Sequence, residues 1–167
     1  LRGDFHLESP LRLTAYRRGQ LTDILWTGYA CLLPLSQRII GLLRVHNLTG
    51  WGIFPAEVYG RQGEVIEGYA GLTVSGRAGK QDRTRGVIQT EYTTVSPATT
   101  GYGVRKGFYF YQDRWDGSDF ALVGPSGFVV VTDKVQRLLR QAKVANVKLT
   151  PLPDDEMNLL LDQFDQD

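Results

Sequence analysis

Cysteine and histidine, which commonly act as nucleophiles, bases and metal ligands, are scarce in this chain of 167 residues. One cysteine and two histidines supply too few ligands for a zinc site, so we predict no metal site. Cys31 opens an apolar run, where a free cysteine usually serves as a small buried side chain. Asp116 and Asp119 are close enough in sequence to form an acid–base pair, but turn chemistry explains Asp116 before Gly117 equally well. We therefore predict no catalytic residue and no cofactor. An enzyme that combines Asp or Glu with Arg stays an alternative.

Two glycine-rich stretches come close to nucleotide-binding motifs without matching them. Gly76 to Lys80 has two residues between its glycines and Gln81 after the lysine, whereas a phosphate-binding loop needs four residues and then Ser or Thr. The stretch 101–107 spaces its glycines like a dinucleotide-binding turn, but an aromatic run follows it instead of a helix. Neither stretch predicts a nucleotide cofactor.

The most polar stretch, residues 76–86, contains four basic residues and one acid. Because the stretch is so polar, we predict an exposed loop here. Its arginines and glycine N–H groups would suit contact with an anion or a protein partner. Tyrosines and arginines follow in residues 102–114, and these residue types dominate the energetics of many protein interfaces. The predicted partner-binding residues are Arg83, Arg85, Tyr102, Tyr109, Tyr111 and Arg114.

The same tyrosines raise an alternative. Tyr109 and Tyr111 alternate on a predicted strand, 108–111, with basic residues on both sides of it, as in base-stacking sheets. We favour an edge strand whose tyrosines expose their hydroxyl ends. Binding of nucleic acid or a nucleotide is therefore an alternative that we do not favour.

Two segments, about 31–58 and 127–152, predict the scaffold because they align without a gap. Ser36 aligns with Thr132, which sets a spacing of 96 residues. Each segment reads as an apolar strand, a hydroxyl N-cap, a short amphipathic helix, a turn and a second strand. The chain is therefore expected to use one strand–helix–strand unit twice.

The alignment also predicts details of both units. The helices should cover residues 37–46 and 133–143, where apolar residues recur at helical spacing. Gly50 aligns with Asn146, and both residue types tolerate positive φ. We therefore predict a left-handed turn residue at each of these two positions.

The remaining elements are predicted from local patterns. Residues 11–15 alternate as a strand with one wet face, and residues 21–25 suit a short helix. The β-branched run 87–95 indicates a strand, and the glycine-containing stretch 96–107 indicates a loop. Acids before an apolar run after Pro153 predict a C-terminal helix. The fold class is α+β in a single domain, 1–167, with mixed or antiparallel sheets, two short helices from the repeated unit and the C-terminal helix.

Composition limits the setting. The chain is 42% hydrophobic and 11% aromatic, which is enough for a packed core. The net charge of +1 gives no overall attraction to nucleic acid or membranes. No apolar run approaches the roughly 20 residues of a membrane helix, and the single cysteine fits a reducing compartment. We expect a cytoplasmic protein without membrane association.

Several motifs in the two units resemble one family. They are WDGSDF at 115–120 and VANVKLTPL at 144–152 in the second half, with LSQR at 35–38 and LTGWGIFP at 48–55 in the first. In these motifs the chain resembles bacterial immunity proteins of polymorphic toxin systems, of the myxobacterial type related to the double-CXXCG immunity proteins. The chain departs from the double-CXXCG pattern because it has no cysteine pairs.

The resemblance implies a small cytoplasmic α+β protein that binds a cognate toxin and neutralises it by occlusion. It carries over no catalytic residue, because its motifs are structural. Together with the missing catalytic motifs, it predicts a non-enzymatic protein-binding domain that acts as an immunity or antitoxin-like module.

Overall fold

A computed structural model of the chain describes residues 9–15, 19–27, 32–95, 98–124 and 128–158. These residues form two helices and twelve strands. The helices are α1 (Gln37–Val45) and α2 (Asp133–Gln141). The strands are β1 (Leu11–Thr14), β2 (Pro34–Ser36), β3 (Trp51–Phe54), β4 (Ala56–Tyr59), β5 (Val65–Ile66), β6 (Tyr69–Val74), β7 (Gly76–Arg77), β8 (Val87–Val95), β9 (Ala98–Lys106), β10 (Phe120–Val123), β11 (Phe128–Val131) and β12 (Glu156–Asn158).

The strands form four three-stranded sheets, ordered β1-β4-β5, β2-β6-β3, β11-β10-β7 and β12-β9-β8. The pairs β1/β4 and β10/β7 are parallel, and the other pairs are antiparallel. The predicted α+β class with mixed and antiparallel sheets is therefore confirmed. Within the described residues, no helix is both long enough and apolar enough to span a bilayer.

Both predicted helices are present, and their apolar faces share one core. Ile39 and Leu43 of α1 and Val135 and Leu139 of α2 are buried in the same cluster. Burying each such side chain contributes roughly 1.5–3 kcal/mol. Helices of nine residues are marginal alone, so this shared core stabilises them.

The two helices also end in the same way. Asn47 and Lys143, 96 residues apart, have φ values of 48° and 51°. Gly50 and Asn146 follow with φ values of 77° and 64°, so the predicted left-handed turn residues are confirmed. An added Cβ at Gly50 would lie 2.1 Å from the Phe120 carbonyl oxygen, which explains the need for glycine in the first copy.

The helix starts depend on two aspartates that the alignment had not included. Ser36 Oγ accepts from the Ile39 N–H, as predicted for an N-cap, and donates to Asp23 Oδ1 at 3.1 Å. Thr132 makes no side-chain cap bond, and its Oγ1 donates to Asp119 Oδ1 at 2.9 Å instead. Asp23 and Asp119 are themselves 96 residues apart, so the repeat begins earlier than predicted.

Each aspartate contacts residues of the other repeat unit as well as residues of its own unit. Asp119 Oδ2 accepts from the Thr49 N–H at 3.0 Å and lies 3.5 Å from Lys134 Nζ. Asp23 is paired with Arg38 and accepts from the backbone of Ala145, the residue 96 positions after Thr49. We call the contacts of Asp119 with Thr49, Thr132 and Lys134 the Asp119 clasp.

These contacts lower the pKa of both carboxyl groups. The hydrogen bond from Arg38 is the main cause for Asp23, against the opposing effect of burial. Burial of Asp119 by itself raises its pKa, but the hydrogen bonds from Thr132 and Thr49 and the charge of Lys134 bring the pKa below its ordinary value. Asp155 differs, because burial and the neighbouring Glu156 raise its pKa.

Acid should therefore destabilise the fold through Asp23 and Asp119. A carboxylate whose pKa is lowered by folding contributes stability above its unfolded pKa of about 3.9 and loses it as the pH falls through its folded pKa. Asp155 acts in the opposite direction. We expect the free energy of urea unfolding to fall below about pH 4, and to fall less steeply in an Asp119→Ala variant. An equally steep fall in that variant would contradict this assignment.

The second unit lacks the predicted outgoing strand. In the first unit β3 pairs with β6, from Trp51 opposite Val74 to Phe54 opposite Gly71. The equivalent residues 147–150 are not a strand, and a 3₁₀ turn at Leu152–Asp154 follows them. The Leu152 carbonyl accepts from the Phe108 N–H at 2.7 Å, so this segment binds a loop rather than a strand partner.

Three local predictions are also wrong. Residues 21–25 are not helical, because Ile24 forms an antiparallel bridge with Leu35. Residues 98–106 are strand β9 rather than a loop. The predicted C-terminal helix is replaced at its start by β12, which pairs with β9; its continuation after residue 158 lies outside the described residues, as does Cys31.

Candidate functional site

Two segments that are distant in sequence lie side by side and gather most of the predicted contact residues. The Asp82 N–H donates to the Tyr109 carbonyl at 2.8 Å, and the Tyr111 N–H donates to the Lys80 carbonyl at 3.2 Å. A bridge between Gln81 and Phe110 lies between these two bonds. The pairing brings residues 77–85 next to residues 105–114, and we call the side chains of these two segments the basic surface.

Arg85 and Tyr109 form the central contact of the basic surface. The Arg85 guanidinium lies over the Tyr109 ring, 4.1 Å from its centroid. Such a cation–π contact is worth about 0.5–1 kcal/mol at exposed sites. It holds a long arginine side chain in one place, which reduces the entropy that binding would otherwise cost.

Arg105 and Asp82 hold the loop that carries Arg83 and Arg85. Arg105 Nη1 donates to the Arg83 carbonyl at 2.7 Å, so a β9 side chain fixes the loop backbone. Asp82 is buried and accepts from both the N–H and the hydroxyl of Thr84. The prediction of an exposed loop over 76–86 is therefore wrong for its first part, where Ala78 and Asp82 are buried.

The other end of the basic surface borders a shallow depression of about 620 Å³. Exposed Tyr111 and Arg114 line it, together with Arg77 and Lys80 from the neighbouring segment. Arg114 Nε lies 3.6 Å from Asp113 Oδ2, the one acid in the lining. The arrangement suits carboxylates on a partner, because several cations line one open depression.

Tyr102 is the predicted contact residue that lies apart from the others. It pairs with Glu91 across the β8–β9 hairpin, and its hydroxyl donates to Glu91 Oε2 at 3.0 Å. This hydrogen bond is the main reason that the pKa of Tyr102 is raised. Tyr102 is five residues before Gly107, roughly 17 Å along an extended strand.

Arg77, Lys80 and Arg105 were not among the predicted contact residues. Their position depends on the pairing of two segments about thirty residues apart, which no local pattern shows. The glycine at position 79 is the one sequence feature that reflects this pairing. Gly79 has a φ of 73°, and an added Cβ there would lie 2.5 Å from Arg114 Cβ. A glycine required by such a close approach indicates that another segment passes next to it.

The carboxylates considered for catalysis have structural roles. Asp116 accepts from the N–H groups of Arg77 and Ser118 at 2.8 and 2.9 Å, and Asp119 forms the clasp. Burial of Asp116 raises its pKa, but hydrogen bonds from the Ser118 side chain and from the N–H groups of Ser118 and Arg77, together with the Arg77 charge, bring the pKa below its ordinary value. In the described part of the chain, no group of three or more His, Cys, Asp or Glu side chains is placed to hold a metal ion.

Comparison with known proteins finds no match, either among protein-family models or among curated proteins. The resemblance to immunity proteins is therefore carried by its motifs alone.

Proposed function

We propose that this chain is a non-enzymatic, protein-binding domain whose basic surface contacts an acidic region of a partner protein. The observation that carries the proposal is the pairing of residues 79–85 with 107–114. The pairing brings the segment that carries Arg83 and Arg85 beside the segment that carries Tyr109, Tyr111 and Arg114, and the Arg85 guanidinium lies over the Tyr109 ring. Tyrosine and arginine held in fixed positions are the commonest hot-spot residues of protein interfaces.

The contacts of the tyrosines favour a protein over a nucleic acid. A base-stacking platform needs open aromatic faces, whereas the Arg85 guanidinium covers one face of the Tyr109 ring. Tyr102 is held by Glu91 through its hydroxyl. The chain also carries a net charge of only +1, so long-range attraction to a phosphate backbone is weak.

Asp116 and Asp119, the two carboxylates considered for catalysis, support a non-enzymatic role. Asp116 and Asp119 accept hydrogen bonds from backbone N–H groups or hydroxyls, which stabilise the charged form. A general acid or base near neutral pH needs a pKa shifted upward. The lowered pKa values of Asp116 and Asp119 are the opposite of that requirement.

The resemblance to immunity proteins extends the proposal to a class of partner. On this proposal the partner is a cognate toxin of a polymorphic toxin system, and the basic surface occludes it. A reducing cytoplasm, consistent with one cysteine, is the proposed location. The acid-rich residues 150–167 are an alternative contact for a basic toxin.

Removal of the central contact should weaken partner binding. We expect the Arg85→Ala, Tyr109→Ala double variant to raise the dissociation constant at least about tenfold, because each residue type costs more than about 1 kcal/mol when truncated in a hot spot. The measurement is titration calorimetry with the protein partner captured by the full chain from cells of its source.

Arg12 and Tyr59 provide a matched control, because the Arg12 guanidinium lies 5.8 Å from the centroid of the Tyr59 ring. Both residues belong to the sheet β1-β4-β5, which contains no residue of the basic surface. The Arg12→Ala, Tyr59→Ala variant should bind like the unmodified chain. Equal affinity for all three proteins would refute the proposed surface. Capture that disappears after nuclease treatment would favour the nucleic-acid alternative.

A further inference from the structure

Strand β8 lies at the edge of its sheet in the described part of the chain. Among the described residues it pairs with β9 alone, at the end of the sheet order β12-β9-β8. Three of its large apolar or aromatic side chains are mostly exposed: Val87 at 60%, Ile88 at 60% and Tyr92 at 73%. A strand of nine residues with such exposure is a template for another strand.

The edge also lacks the usual devices that prevent strand addition. Its sequence, VIQTEYTTV, contains no proline and no lysine, and Glu91 is its only charge. High β-propensity, low charge and the absence of proline together favour pairing with another strand. A long unprotected edge of this kind in a folded protein indicates that something covers it in solution.

The register of the hairpin shows which β8 groups face outward. Val95 pairs with Ala98, with two residues between them, so this closing pair is hydrogen-bonded within the hairpin. Along an antiparallel ladder, hydrogen-bonded pairs alternate with pairs that are not hydrogen-bonded, and in the latter the N–H and C=O groups of β8 point away from β9. The N–H and C=O groups of Ile88, Thr90 and Tyr92 therefore point to the open edge.

We propose that β8 pairs in antiparallel register with β8 of a second copy of this chain, about a two-fold axis at Thr90. Thr90 then faces Thr90 of the second copy, and Ile88 of each copy faces Tyr92 of the other. Aromatic and β-branched residues are favourable cross-strand pairs. A two-fold arrangement needs a self-complementary patch, which this register provides.

The charges on the strand are compatible with this register. Glu91 faces the neutral amide of Gln89, which can donate to it, rather than Glu91 of the second copy. Like charges directly opposite each other would destabilise the pair. The resulting sheet has six strands, from β12 of one copy to β12 of the other. This inference does not rest on the proposed function.

The test is the mass of the full chain by sedimentation equilibrium from micromolar to several hundred micromolar. We expect the mass to rise from 18.7 kDa towards twice that value. Ile88→Lys places a charge in the pair, and Thr90→Pro removes an outward N–H. Each should raise the dimer dissociation constant at least about tenfold. Val65→Lys is the matched control, since Val65 is 61% exposed on another edge strand, and should dimerise normally.

A cysteine cross-link tests the register without weakening the pair. In a Cys31→Ser background, Thr90→Cys places two thiols opposite each other at a Cα separation of about 5.5 Å, within the disulfide range. Ile88→Cys does not oppose itself. We expect oxidised dimer from the first variant only. A chain that stays at 18.7 kDa throughout would overturn the proposal, and this is the result expected if a different protein covers the edge. Equal dimerisation of the Ile88→Lys variant would also overturn it.

Discussion

Replacement of Asp119 with alanine should lower the free energy of unfolding by about 3 kcal/mol. Asp119 is buried, and its two oxygens accept from the Thr132 hydroxyl and from the N–H and hydroxyl of Thr49. Lys134 Nζ forms an ion pair with Asp119 Oδ2 at 3.5 Å. Alanine leaves the Thr49 N–H and the Thr132 hydroxyl without their acceptor. A hydrogen bond to a charged group contributes about 1.5–3 kcal/mol. Three partly buried bonds of this kind, from the Thr49 N–H, the Thr49 hydroxyl and the Thr132 hydroxyl, are lost together.

Urea denaturation followed by circular dichroism measures this loss. Asp113→Ala is the matched control, because Asp113 pairs with Arg114 while 74% of its side chain is exposed. An exposed ion pair contributes little, so this control should change the free energy of unfolding by less than about 0.5 kcal/mol. Similar free energies of unfolding for the two variants would show that the Asp119 clasp does not stabilise the contact between the two repeat units.

Replacement of Gly50 with alanine should cost about as much, for a steric reason. Its φ is 77°, and an added Cβ would lie 2.1 Å from the Phe120 carbonyl oxygen and 2.5 Å from Ser118 Cβ. The left-handed conformation alone costs roughly 1–2 kcal/mol for a residue with a Cβ. Overpacking against backbone adds typically about 1–3 kcal/mol. We expect a total loss near about 3 kcal/mol.

Gly63→Ala separates the two contributions. Gly63 has a φ of 83°, but an added Cβ meets nothing within 4 Å. This variant should lose only the conformational part, about 1–2 kcal/mol in thermal or urea unfolding. If both glycine variants lose the same stability, the close approach of Gly50 to Phe120 and Ser118 of the second repeat unit does not destabilise an added Cβ.

The sequence predicts the repeated unit because its signals are local. The N-cap of α1, the helical spacing of Ile39 and Leu43, and the left-handed positions of Gly50 and Asn146 each lie within a few residues of the feature they specify. Asp23 and Asp119 were missed, although the same 96-residue spacing relates them. Extending the alignment upstream by thirteen residues from Ser36 would have found both.

Pairings between distant segments could not be predicted. The glycines of 98–106 indicated a loop, yet this segment is β9, because β8 lies opposite it and the Tyr92 ring covers Gly101. Residues 108–111 were expected to be a strand, but only Phe110 forms a bridge, to Gln81. The basic surface depends on that same pairing. The sequence therefore predicted five of its contact residues without showing that they meet, and it did not predict Arg77, Lys80 or Arg105.

On the proposed function, the basic surface binds a protein. Hydrogen–deuterium exchange of the full chain, alone and with the protein it captures from its source cells, tests this most directly. We predict slower exchange in 79–86 and 107–114 on binding, with unchanged exchange in α1 and β4. Protection confined to other segments, or the failure to capture any protein, would contradict the claim.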